Sequence, residues 1–316
     1  MSICPVNDFP SARAIISSPD FAPFSMAEAY ADIARMTGLD LSASIRIMEC
    51  LPPFLHGPAH HDIRRRMAAR ISATLPTQQA VVREGCARLV AELVIPGAEF
   101  DLVSDLAQPL WRSLSAVLIG DIAGASDGID LADDIPVLFS SVIGLARRKS
   151  INARIESFLS LDPANVDDRR ARVALAVLGA RPFVGALSLS LFHAIDRHGP
   201  CRASRIPWSS TFVDTPLTYV DRVALKDAAV GPNAFQQGER VRVMTVRPDY
   251  TPDQERKLLF GLGTHACLGR SIAEFSWKHV VDAIAKTNAT LHAVSLDLAK
   301  DSEPFAMPAR AVLSVR

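Results

Sequence analysis

Cys267 lies in the stretch Phe260-Gly261-Leu262-Gly263-Thr264-His265-Ala266-Cys267-Leu268-Gly269-Arg270, a cysteine among three glycines. The glycines let the backbone turn tightly and bring its N–H groups close to whatever the sulfur holds. An apolar helical run follows (Ile272, Ala273, Phe275, Val280, Val281, Ile284). A thiolate at a helix entrance is favoured by the positive end of the dipole, so a lowered thiol pKa is expected. In an apolar setting such a sulfur suits an iron porphyrin better than a hydrated metal ion. A second chemical cluster is His56-Gly57-Pro58-Ala59-His60-His61-Asp62-Ile63-Arg64. His60 and Arg64 are four apart, on one face of a helix that opens after the Gly-Pro turn. Two cationic donors on one face make a clamp for a carboxylate. The ordinary alternatives are a buried free cysteine and a solvated basic helix start. Zinc at His60, His61, His265 and Cys267 fits no common ligand spacing.

The cysteine stretch (Phe, two residues, Gly, one, His, one, Cys, one, Gly) resembles the heme-binding loop of the cytochrome P-450 family. The resemblance implies heme b (iron protoporphyrin IX) with Cys267 as axial thiolate, and Phe260, Gly261 and Gly269 around it. His265 stands where the family carries a propionate-binding cation. Pro58-Ala59-His60 with Arg64 resembles the family's Pro-x-His-x-x-x-Arg helix, which also binds a propionate. Thr215-Pro216-Leu217-Thr218-Tyr219-Val220-Asp221-Arg222 resembles the strand that bears a second propionate-binding arginine, here Arg222.

Arg172 to Ile195 is nearly all apolar, broken by Arg181-Pro182. Its length raises a transmembrane span. Arg181 mid-span would cost about 2.5–3.5 kcal/mol, and Pro182 disturbs a helix, so a long buried core helix is expected. In the P-450 family this is the helix across the distal face of the heme. Gly179-Ala180-Arg181-Pro182-Phe183 then falls where most members have Ala-Gly-x-Asp/Glu-Thr. The acid and the alcohol are absent. Arg-Pro resembles the peroxygenase branch, in which Arg181 would hold a substrate carboxylate and Pro182 would open the helix. A structural ion pair for Arg181 is the alternative.

With 316 residues, 49% hydrophobic and 22% charged, the chain has a sizeable core, and one domain over 1–316 is expected. The 34 basic and 34 acidic residues cancel, which suggests no nucleic-acid partner. The five cysteines are scattered without a CxxC pair, as in a reducing compartment. No signal peptide is visible. A cytoplasmic protein without a membrane partner is expected, and oligomerisation stays open.

The elements that must position these residues read as mainly α with a small β portion. A short helix at 12–16 ends near Pro19, as though part of the family's N-terminal β-lobe were lacking. Helical spacing follows over 25–50, 66–96 and 99–123, a polar loop at 124–134, and shorter helices over 135–165. Between 199 and 250 the family's Glu-x-x-Arg helix is not recognisable, and its meander before the cysteine loop is compressed. Residues 237–240 read as a hairpin turn, 241–246 as a strand, and alternation after 290 as a C-terminal hairpin. The reading is a heme-thiolate oxidoreductase, a monooxygenase or peroxygenase. It would act on a small, carboxylate-bearing substrate with hydrogen peroxide or a redox partner. The alternatives are a non-oxygenative biosynthetic step on the same fold and a non-catalytic heme-binding member.

Overall fold

Two long helices set the frame. In the computed structural model, which describes residues 3–300 and 303–316, the helix Val166–Asp196 runs unbroken for 31 residues through Pro182. Val173–Val177 and Phe183–Phe192 are buried along it. A helix that is apolar all round belongs inside a core. It is the one helix among the described residues long and apolar enough to cross a membrane, and 78% of its apolar window is buried in the protein. Pro182 has no N–H to offer the Leu178 carbonyl, yet the helix runs on through it, as the expected long core helix requires. The second frame helix, Gly57–Leu93, is continuous for 37 residues through Pro76. Pro58 sits in its first turn, where a missing N–H costs nothing.

Several boundaries differ from the sequence reading. The stretch 25–50 is two helices, Met26–Thr37 and Ser42–Met48, separated where Gly38 ends the first at φ +70°. Glu99–Asp101 is a strand, and helical structure begins at Leu102. Asp101 makes the change: its Oδ1 accepts from the N–H of Val103 and of Ala311 on the C-terminal strand. Ala125–Asp134 is a helix rather than a loop. Only a narrow stripe of it is apolar and buried, Gly128, Leu131 and Ala132, with Phe158 packed against Gly128.

The β portion is three small sheets. In the first, the order is Ile3–Val6, Arg240–Met244, Tyr219–Ala224, Phe21–Pro23, with the first pair parallel and the rest antiparallel. The N-terminal stretch therefore does contribute strands, one on each side of the helix Phe9–Ser17. The second sheet is the expected C-terminal hairpin, Thr290–Leu298 with Pro308–Val315. It is widened by Glu99–Asp101 on one edge and Cys201–Arg202 on the other. Ala228–Val230 and Asn233–Phe235 form a separate hairpin turning at 231–232. The expected turn at 237–238 leads into the strand Arg240–Met244, with Gly238 at φ +82° and the Glu239 N–H donating to the Gln236 carbonyl at 3.0 Å. Among the described residues no α-helix occurs between Asp196 and Pro252, in keeping with the absent Glu-x-x-Arg helix. The helix Pro252–Leu259 was not anticipated. Thr251 and Gln254 form a capping box at its start, with Asp253 and Glu255 in its first turn and Arg256 and Lys257 in its last.

A glycine fixes how closely the two sides of the core approach. A Cβ at Gly179 of the long helix would land inside the Trp111 indole ring. Gly179→Ala is therefore expected to cost about 1–3 kcal/mol. A urea midpoint as high as wild type would show that the indole is free to move aside.

Candidate functional site

The helix Pro252–Leu259 delivers the chain into the cysteine loop, and two glycines there are dictated by the backbone. Gly261 has φ +67°, and a Cβ on it would lie 2.8 Å from the His265 carbonyl oxygen. Gly263 has φ +59°. Gly269 has an ordinary φ and serves as N-cap of the helix Arg270–Lys286. The nearest atom to a Cβ there would be Cys267 Sγ at 3.9 Å. The loop closes on itself: the Cys267 N–H donates to the Phe260 carbonyl at 2.7 Å, and the Ala266 N–H to that of Gly263 at 3.2 Å.

Cys267 is exposed to solvent although protein crowds around it. Burial pushes its thiol pKa up. The N–H groups of Gly269 and Arg270 and the charges of Arg64 and Arg270 pull the other way without winning. The lowered pKa expected from the helix entrance is thus corrected. The donors are in place, but desolvation outweighs them until a cation meets the sulfur.

Around this loop four basic side chains converge from three elements. His60, in the first turns of Gly57–Leu93, is 1% exposed, and its ring centre lies 4.2 Å from that of His265. Arg64, one turn further, donates to the Ala266 carbonyl at 2.8 Å and so ties that helix to the cysteine loop. Arg222 comes from the middle of the strand Tyr219–Ala224 and is 5% exposed. Its Nη1 donates to the Asp221 carbonyl oxygen at 3.1 Å. Burial, then the charges of Arg222, His60, Arg64 and His61, push the His265 pKa down to about 3. Burial, then Arg64, His61 and His56, pushes His60 down to about 4. Burial also brings Arg222 down to about 10, against the charge of Asp221.

That carboxylate is already engaged. Asp221 accepts from Arg240 at 2.6 Å and from Arg242 at 2.9 and 3.1 Å. His60 Nε2 is buried without a hydrogen-bond partner. The cluster brings two guanidinium charges, Arg64 and Arg222, together with two imidazoles held neutral in a partly desolvated setting. Dianionic groups with paired carboxylates fit it, since charge-assisted bonds to such groups offset the burial of the cations. Among the described residues no three His, Cys, Asp or Glu side chains are grouped to hold a metal ion on their own.

Comparison with solved structures decides the fold. CalO2 superposes with a TM-score of 0.76 at 18% identity, over 99% of this chain and 91% of that one. P-450 RauA, solved with a biosynthetic intermediate of aurachin RE, gives 0.75 at 16% identity over 98% and 90%. P-450 BioI, solved with an acyl carrier protein ligated with hexadec-9Z-enoic acid, gives 0.74 at 15% over 98% and 91%. The chain has the cytochrome P-450 fold. No protein-family model matches its sequence, and no curated protein does so either.

Within the P-450 fold, Arg181 and Pro182 stand on a different element from the cationic cradle. Both are partly accessible in the middle of the otherwise buried long helix, and Leu178 shares their face at helical spacing. Burial lowers the pKa of Arg181. Sequence reasoning missed the Ala266 carbonyl as the anchor of Arg64 and Asp221 as the occupied counter-charge. A backbone acceptor leaves no trace in the sequence, whereas the adjacency Asp221-Arg222 was visible.

Proposed function

We propose that this chain holds heme b with Cys267 as axial thiolate. On this reading it is a heme-thiolate oxidoreductase of the monooxygenase or peroxygenase type that acts on a small organic substrate. The observation that carries the proposal is the convergence of His60, Arg64, Arg222 and His265 beside the cysteine, His60 and Arg222 buried and Arg64 and His265 half-buried, with Asp221 engaged elsewhere. His60, Arg64, Arg222 and His265 would hold the two propionates, with His60 Nε2 available as a donor, and Cys267 would hold the iron as its thiolate. A heme held by cysteine supplies electron-rich iron suited to O–O cleavage.

The chain's own residues decide the rest. Arg64, fixed by the Ala266 carbonyl, aligns the helix Gly57–Leu93 with the loop, and Phe260 receives the Cys267 N–H. The fully and partly buried side chains of the long helix exclude water from the distal side. Arg181 is the group on that helix able to grip a carboxylate with a bidentate pair of bonds. Gly179-Ala180-Arg181-Pro182-Phe183 offers no acid or hydroxyl to move a proton. Hydrogen peroxide, which brings its own protons, is therefore the preferred oxidant over dioxygen with a redox partner. The acyl cargo of the neighbour P-450 BioI fits a carboxylate-derived substrate. The same missing acid and hydroxyl favour one second reading, a non-oxygenative biosynthetic step, which would continue without any oxidant.

The test is spectroscopic. Protein supplied with heme, reduced and exposed to carbon monoxide, is expected to show a strongly red-shifted Soret band that Cys267→Ser abolishes. A band indifferent to the substitution overturns thiolate ligation. Peroxide-supported turnover no faster than that of free heme overturns the peroxygenase chemistry.

A further inference from the structure

Among the described residues the chain between the long helix and the strand Tyr219–Ala224 has no α-helix, yet it is fastened on both sides. Towards the long helix, the wholly buried Ser190 Oγ accepts from the N–H groups of Val213 at 3.1 Å and Asp214 at 3.0 Å. His193 Nδ1 meets Asp214 Oδ1 at 2.9 Å. The Phe212 ring, 1% exposed, stands edge-on to Phe183. Towards the helix that follows Cys267, Trp277 Nε1 donates to the Ser209 carbonyl at 2.9 Å. The Trp277 ring also packs on Phe212 at 5.3 Å and on Trp208 at 6.5 Å. Pro216 closes the segment against Gly185, where a Cβ would sit 2.7 Å from the proline.

We propose that residues 208–216 are a cross-brace setting the spacing between the long helix and the cysteine helix. His193 and Asp214 are its positioning pair, so that the spacing between the two helices changes with pH. The brace rests on contacts that exist without a cofactor; only what is held between the two helices depends on the heme reading.

The charged groups around the pair define the direction. Asp214 faces His193 from the brace, and Glu255 acts on Asp214 from the helix Pro252–Leu259. Asp196 and Arg197 lie at the end of the helix that carries His193. The hydrogen bond to Asp214 comes first in raising the His193 pKa above its ordinary value, with burial opposing it. A raised histidine pKa means an ion pair fully present below the ordinary value and lost as pH rises through the folded one. The second carboxylate oxygen of Asp214 is buried without a partner, so loss of the imidazolium leaves a poorly compensated charge.

Two of the three tryptophans, Trp208 and Trp277, sit on the brace and report on it directly. Intrinsic fluorescence of the heme-free protein is to be followed from about pH 6 to about pH 8, the range in which histidine titrates. Wild type is expected to shift to the red with rising pH, while His193→Gln and Asp214→Asn show no transition there. In heme-loaded protein, transfer of heme to apomyoglobin is expected to accelerate severalfold over the same range in wild type only. A wild type without a fluorescence transition, or a transition retained in both variants, overturns the brace. Failure to take up heme overturns the heme reading alone, because the fluorescence result still decides the brace.

Discussion

Replacing Arg222 with leucine is expected to stabilise the heme-free protein and to weaken heme capture, two effects of opposite sign from one substitution. Arg222 is 5% exposed, and its pKa is brought down to about 10 by burial. Its direct hydrogen bond is to a neutral carbonyl, that of Asp221. A guanidinium in that position carries its desolvation cost without an unshared carboxylate, so its removal should gain about 1–3 kcal/mol in urea unfolding of the apoprotein. It also relieves His265, on which Arg222 is the largest charge effect after burial. On the proposed reading, the same arginine would bond a propionate in the loaded protein. Loss of a bond to a charged group, about 1.5–3 kcal/mol, should weaken heme affinity roughly tenfold to a hundredfold. Arg242→Leu is the contrast. Arg242 grips Asp221 with two bonds, so its loss should destabilise the apoprotein. A destabilised Arg222→Leu apoprotein would mean that the cradle is ordinary packing rather than a site awaiting an anion.

Why the site was legible while parts of the scaffold were not follows from how each is encoded. Gly261 and Gly263 occupy backbone conformations that side chains rarely tolerate, so their spacing around Cys267 survives as a pattern in the sequence. His60 and Arg64 are one helical turn apart, and periodicity alone puts them on one face. Scaffold boundaries depend on partners far along the chain. Ala125–Asp134 looks polar because Arg112 neutralises Asp130 and Asp133 from outside the segment, while its buried stripe is only a few residues wide. Phe21–Pro23 is a strand because Tyr219–Ala224 lies beside it, some 200 residues on. The Cys267 thiol illustrates the same limit in electrostatics. The favourable N–H groups of the loop could be read locally, but the opposing burial arises from the packed whole.

Mild acid should unfold the heme-free protein and spare the loaded one. His60 and His265 have pKa values of about 4 and about 3, both below the ordinary histidine value near 6.5. Between those values the unfolded chain takes up protons that the folded protein refuses. Stability is therefore fully present above about pH 6.5 and declines as pH falls toward the folded values, by up to about 1.4 kcal/mol per pH unit for each histidine. Urea midpoints of the apoprotein at about pH 7 and about pH 5 should differ strongly, and His60→Gln should flatten the difference because it removes one of the two protons. Propionates in the cradle would reverse the sign of the local field. They would favour the protonated imidazoles, raise both pKa values, and leave the loaded protein with a shallow acid dependence. Parallel acid curves for the two forms would show that no anion sits among these side chains. Diverging curves would show that the cradle is stabilised by the dianion it binds, and would connect the clustering of its two guanidiniums and two imidazoles to the retention of the cofactor.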